Sequence, residues 1–319
     1  MLDRTRGKDD EQSLEDIDAA AAAQKERVEQ LRGFAGRLGV IMPPGTLMEV
    51  AELGTPPIDP ATEGYTHLDH SYDLTRFLDH CFQNGVSADE MGTDRVTYLR
   101  AGFTHDLGKI GDGSAEYTPR QNPIIRFFNI NFGAYGINSG KTSLHKALEI
   151  AVEKEFVTRD DSLEILRSAI SENCDPFKMT LRQYLNLHAR WGGRRAKRDG
   201  LPRANQRIAA HHHSLNREQD NSEPESPEDT AKLVELLEIG DKAVAHMFRS
   251  HEQWRSSESV IASIRESIEE CTDTLVRNAA LTLMNRYNTL FIEALDTIKE
   301  ARARVKRVGE TSTNPRKSP

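Results

Sequence analysis

From Tyr65 onward the apolar residues of this 319-residue chain recur at steps of three and four, the spacing that stacks side chains on one face of an α-helix. Leu68, Tyr72, Leu74, Phe77, Leu78, Cys81 and Phe82 mark one helix, and Val96, Leu99, Phe103 and Leu107 mark another. Leu144, Leu148, Ile150, Ala151 and Phe156, then Leu163, Ile165, Leu166 and Ile170, then Leu181, Tyr184, Leu185 and Leu187, extend the pattern. Val260, Ile264, Ile268, Cys271 and Leu275, followed by Met284, Tyr287, Phe291, Leu295 and Ile298, describe one or two long amphipathic helices. No alternation of strand with helix occurs, so a parallel sheet is excluded and an all-α fold is expected. The single strand-like run is Pro123 to Phe132, leading into the glycine-rich Gly133 to Gly140.

Breakers and charge divide the chain. Residues 1–17 are charged and poor in apolar groups and are read as disordered. Residues 18–64 are read as an N-terminal helix and a connector carrying Pro43, Pro44, Pro56, Pro57 and Pro60, through which helix is not expected to continue. A core domain is expected over 65–255, with a mobile acidic loop at 216–229. A C-terminal helical region over 256–308, able to pack on the core or to form a homodimer, and a disordered tail over 309–319 complete the division. The net charge of −8 gives no overall attraction for nucleic acid or an anionic membrane. No apolar run approaches the roughly 18 residues of a bilayer span, and Met1-Leu2-Asp3-Arg4 does not open a signal peptide, so a cytoplasmic protein is expected. The 3 cysteines, Cys81, Cys174 and Cys271, lack the short spacings of a disulfide framework or zinc ribbon. Any metal would therefore use histidine and carboxylate.

The sharpest chemical signal is Thr104-His105-Asp106-Leu107-Gly108-Lys109-Ile110, at the end of an apolar helix. Adjacent helical residues point about 100° apart, so His105 and Asp106 can share an ion only where the helix opens, and Gly108 is expected to supply that freedom. A carboxylate and an imidazole together suit Mn, Fe, Co or Zn. Lys109, one turn beyond His105, is placed to reach a phosphate oxygen.

This stretch resembles the HD-domain metal-dependent phosphohydrolases, which carry an adjacent His-Asp pair. The resemblance spans roughly residues 65 to 250 and implies a helical HD core. His70, followed by Ser71, corresponds to the family's first histidine, and Asp241 within Ile239-Gly240-Asp241-Lys242-Ala243 to its closing aspartate. His145 corresponds to the extra histidine of two-metal members, and His211-His212-His213 contains their double histidine. Counting from Ile208 favours His211 and His212, and counting back from Ser214 favours His212 and His213. The metal set so implied is His70, His105, Asp106, His145, His211, His212 and Asp241, for one or two divalent ions. His67 is read as a core or supporting residue, and His80, His188, His246 and His251 as surface or internally satisfied histidines. The subset that cleaves cyclic dinucleotides carries a Gly-Tyr-Pro segment absent from Ser214 to Pro227, and its additional carboxylate is replaced by Thr66, so that substrate is demoted. A fainter likeness, through Leu68-Asp69-His70-Ser71 and the basic segment, is to HD-type relaxases that act on DNA.

What the resemblance implies is hydrolysis of a phosphoester, with a nucleotide as the expected substrate. In such a site a bound ion would lower the pKa of water from 15.7 towards about 7, Asp106 would be the carboxylate shared by two ions, and Lys109 would stabilise phosphate charge. Arg194, Arg195 and Arg198, within a basic loop expected over 190–207 and loosened by Gly192, Gly193 and Gly200, are the candidate phosphate guides. Trp191 and Tyr184 offer either faces for base stacking or core packing. Gly133 to Ser143 looks like a phosphate loop but carries Tyr135 where its first glycine belongs, so a turn leading to a helix cap is expected. The rivals are a helical scaffold with a structural metal and a nucleic-acid-binding module using 190–207.

Overall fold

A computed structural model describes residues 6–56, 65–113, 122–213, 227–248 and 255–312. In chain order the helices are α1 (Arg6–Arg37), α2 (Pro44–Glu52), α3 (His67–Gln83), α4 (Arg95–Thr104), α5 (Pro123–Phe128) and α6 (Leu144–Glu153). Then come α7 (Arg159–Ser171), α8 (Leu181–Arg198), α9 (Arg203–His211), α10 (Pro227–Phe248), α11 (Ser257–Glu269) and α12 (Thr274–Ser312). Short 3₁₀ turns occupy Leu107–Ile110 and Phe132–Tyr135. The fold is all-α: among the described residues there is no strand, only an isolated antiparallel bridge between Ser143 and Thr180. No described helix is long and apolar enough to cross a membrane. The chain divides into two compact units, the first holding the described residues of Met1–Asp69 and Phe103–His211, the second those of His70–Gly102 and His212–Pro319.

Helix boundaries in the first unit follow local chemistry. The Thr158 and Thr180 side chains each accept the backbone N–H three residues on, while Asp161 and Gln183 reach back to the cap N–H, closing reciprocal capping boxes on α7 and α8. The strand-like run is corrected to helix. Asn122 caps α5 by accepting from the Ile124 and Ile125 N–H groups at 3.0 and 3.3 Å, and Pro123 stands at the first helical position, where no N–H is missed. A proline at the start of a helix likewise permits α2 inside the expected connector, beginning at Pro44. Residues 57–64 of that connector lie outside the described residues. Helix α1 begins at Arg6, so most of the leader expected to be disordered is helical; its Asp, Glu, Lys and Gln residues are charged or polar without being helix breakers. Phe127, Tyr184 and Trp191 pack with Leu144, Leu148 and Ile165 in one apolar cluster.

In the second unit α12 packs on α10 and α11, so residues 256–308 do not stand apart from the helix that bears Asp241. The run from Val234 to Gly240 is buried without interruption, and Phe291, Leu295 and Ile298 of α12 are buried too. Most of that apolar stripe is thus buried within its own unit, while Leu275 is exposed. Helix α12 kinks at Tyr287 (φ −115°, ψ 17°), whose hydroxyl donates to Glu90 Oε2 at 2.6 Å. Of the expected acidic loop, 216–226 lies outside the described residues and 227–229 belongs to α10; of the expected tail, 313–319 lies outside them and the preceding residues belong to α12.

Burial raises the carboxyl of Glu52, the last residue of α2, to about 7, against the charge of Arg195, with Glu49 adding to the rise and Arg27 opposing it. Folding therefore raises proton affinity: the stabilisation is complete below the ordinary value of 4.5 and is lost as pH rises through about 7. The loss amounts to about 3 kcal/mol. Urea unfolding at pH 5 and pH 8 should show that decline in the wild type and its near absence in Glu52→Gln; parallel declines would refute the assignment.

Candidate metal centre

In the first unit α4 ends at Thr104, and His105 and Asp106 fill the step before the 3₁₀ turn, at the helix terminus expected of them. Asp106 has φ −91° and ψ 5°, and its carbonyl accepts the Lys109 N–H at 2.9 Å, which closes the turn that carries Lys109. The role expected of Gly108 is corrected. Its backbone is not in the left-handed region, but a Cβ there would lie 1.8 Å from the His188 carbonyl oxygen and 2.6 Å from the Gly192 nitrogen. Gly108 permits contact of the His-Asp turn with the backbone of α8 rather than an opening of the chain.

That contact places His188 against Asp106, Nε2 to Oδ1 at 3.2 Å. On its other edge, His188 Nδ1 is hydrogen bonded to the Leu185 carbonyl. An imidazole set between a carbonyl and a carboxylate needs a cation on the carboxylate side, either a second ring proton or a metal ion. The other Asp106 oxygen, Oδ2, accepts from Lys109 Nζ at 2.6 Å and lies 3.4 Å from His105 Nε2. Lys109 also donates to His67 Nδ1 at 3.2 Å, so His67 carries its own proton on Nε2 when neutral. Burial opposes ionisation of Asp106, but the charges of His105 and Lys109 and hydrogen bonds from His105 and His188 outweigh it and hold the carboxyl well below the usual range. The result is a buried, ionised carboxylate held between an ammonium at 2.6 Å and imidazoles at 3.2 and 3.4 Å.

In the second unit His70, fully buried on α3, meets Asp241 of α10, Nε2 to Oδ1 at 2.6 Å. Gly240 makes the approach feasible, since a Cβ there would meet Phe77 Cδ1 at 2.7 Å and Leu74 Cδ1 at 2.9 Å, both on α3. His212 is fully buried and its ring lies 4.2 Å from that of His213. His211 closes α9 in the first unit. Thr66, standing where a further carboxylate was sought, caps α3: its hydroxyl donates to Asp69 Oδ2 at 2.7 Å and accepts the Asp69 N–H at 3.1 Å.

Other expected residues serve different ends. His145 is partly exposed on α6, stacked on Phe177 with ring centroids 4.4 Å apart and 3.8 Å from Glu149 Oε1, in no ligand group found among the described residues. The basic segment is helix, not loop, through most of 190–207, and Arg190, Arg194, Arg195 and Arg198 pair within the unit. Arg194 bonds Glu172; Arg198 bonds Glu49 and, at 2.8 Å, Asp199 Oδ1. Arg195 is buried, donating to Glu49 Oε1 at 2.7 Å, to the Ile110 carbonyl at 3.1 Å and to the Gly111 carbonyl. Gly192 and Gly193 lie within α8 and serve close packing rather than movement. Trp191 and Tyr184 are core residues: the indole N–H donates to Glu172 Oε1 at 2.8 Å, and the phenol meets Ser168 Oγ at 2.9 Å. His80 is partly buried, His246 is exposed, and His251 lies outside the described residues. Gly133 to Ser143 is a turn ending at the Ser143 cap of α6.

Sequence reasoning missed His188 as part of the Asp106 cluster. Its only signal was position, on the apolar face of α8 one turn before Trp191 and Gly192. No family model matches the chain, and comparisons with curated proteins and with solved structures find no match.

Gly108→Ala should cost about 3 kcal/mol, because the added methyl strikes backbone on two sides rather than a movable side chain. Chemical denaturation measures it; a loss below about 1 kcal/mol would show that α8 moves aside readily.

Proposed function

We propose that the chain is a metal-dependent phosphohydrolase of the HD type, acting on a phosphoester of a nucleotide or related substrate. The observation that carries this reading is the His188–Asp106–Lys109 cluster, in which a buried carboxylate is kept ionised between an imidazole and an ammonium. His105 and Asp106 in the first unit, and His70 and Asp241 in the second, are the ligands this reading assigns to divalent ions of Mn, Fe, Co or Zn. His188 in the first unit takes the place expected of His145 as a further candidate ligand, and His212 and His213 are the candidate imidazoles of the second.

Such an ion, when bound, supplies a lowered water pKa and neutralises charge on the phosphoryl oxygens. The chain's own groups do the rest. Asp106 presents one oxygen on the His188 side and keeps the other on Lys109. Lys109, braced by His67, orients that carboxylate and maintains its charge, a role better matched to its burial than a mobile phosphate contact. The pairing of Arg194, Arg195 and Arg198 with carboxylates and carbonyls argues against a nucleic-acid surface at that place.

Elemental analysis of the purified chain, with turnover of bis(p-nitrophenyl) phosphate, tests the proposal. The expected outcome is at least about one equivalent of transition metal and hydrolysis abolished by chelation, with Asp106→Asn lowering kcat by at least about 100-fold. A folded, metal-loaded protein inert on phosphodiesters and nucleotides would support the scaffold reading. Loss of phosphodiester turnover in Asp106→Asn without loss of metal would place Asp106 in orientation rather than ligation.

A further inference from the structure

Helix α12 extends its apolar stripe through Phe291, Leu295 and Ile298, and the next step of that stripe is Arg302. An arginine at a partly buried position beside a core stripe is costly unless something specific receives it. Asp73 of α3, whose carboxylate is fully buried, accepts from Arg302 Nε on Oδ2 and from Arg76 Nη1 on Oδ1 at 3.0 Å. The Arg302 guanidinium also lies 5.1 Å from the centroid of Phe248, on α10. His70, Asp73 and Phe77 are spaced to share one face of α3. Along that face His70 meets Asp241 of α10, Asp73 meets Arg302 of α12, and Phe77 packs 5.6 Å from Phe291 of α12.

We propose that Arg302 is a positioning residue that sets the rotation of α3 against α10 and so fixes the His70–Asp241 contact from the far end of the chain. The planar fork of a guanidinium can bond a carboxylate edge and lie over an aromatic ring at once, which a lysine cannot reproduce. The consequence for metal affinity rests on the function proposed above; the consequence for the imidazole–carboxylate contact does not.

The test uses the full chain with ¹⁵N-labelled histidine. In the wild type, and in the presence of chelator, the His70 ring proton bonded to Asp241 should appear far downfield in the proton spectrum. Arg302→Met should shift or broaden it, Asp73→Asn should do the same with less disturbance of packing, and Arg302→Lys should restore it in part. Ser257→Ala is the control, since Ser257 Oγ donates to Asp296 Oδ1 at 2.6 Å and ties α12 to α11 instead of α3. It should leave the proton in place whatever it does to melting temperature. With Mn²⁺ followed by electron paramagnetic resonance, Arg302→Met should weaken binding about tenfold while Ser257→Ala leaves it unchanged. An unaltered downfield proton in both Arg302→Met and Asp73→Asn, or equal loss in Ser257→Ala, would overturn the proposal. Should the wild type bind no Mn²⁺ while the proton responds as described, positioning stands and the metal-dependent reading falls.

Discussion

A carboxylate with 2% of its surface exposed governs the first unit. Leaving Asp106 charged and unsatisfied would cost several kcal/mol, so the surrounding backbone is organised to bring it donors. Helix α4 stops at Thr104, the following turn returns Lys109 to Oδ2, and the absence of a side chain at Gly108 brings α8 near enough for His188 to face Oδ1. Helix α8 is held by its own buried contacts, with Trp191 donating to Glu172 and Arg195 donating to the carbonyls that end the turn. The position of His188 is thereby a by-product of core packing as much as of chemistry.

The second unit meets a similar constraint with different parts. Asp73 and His70 are both fully buried on α3, one turn apart, and each receives a partner from a separate helix. Because both partners act on one rigid helix, the two contacts set its rotation together. The apolar contact of Phe77 with Phe291 lies one turn further along and resists the same rotation. Charged and apolar contacts on one face therefore reinforce each other rather than compete.

Much of this organisation was legible in the sequence where a local rule decides the outcome. Three- and four-residue spacing marks most helices, and Ser143 before α6 reads directly as a cap. The strand-like stretch misled because Ile124, Ile125 and Phe127 are all buried; a short apolar run cannot distinguish a buried strand from a buried helix, and Asn122-Pro123 was the deciding signal. For the candidate site, the turn location of the His-Asp pair could be read from neighbouring residues. His188 could not, because what brings it to Asp106 is the missing Cβ of Gly108, a fact of tertiary approach that leaves no periodic trace. The basic segment was read as a loop of phosphate-guiding arginines because its opposing charges, Glu49 and Glu172, lie outside it in the sequence.

Those distant acids explain why arginine rather than lysine occupies the structural positions. Arg195 satisfies one carboxylate and two carbonyls from three different nitrogens, and Arg302 combines a carboxylate with an aromatic face. A lysine ammonium has the charge for either task but neither the spread of donors nor the flat surface. In each unit, then, an arginine distant in sequence stabilises the segment that presents the histidine–carboxylate contact: the end of the turn after Asp106 in one, and the face of α3 bearing His70 in the other. Helical segments supply stiffness but have no ladder of hydrogen bonds between them to set register. The guanidinium ties perform that function here, and the chemistry proposed for the chain depends on how firmly they hold.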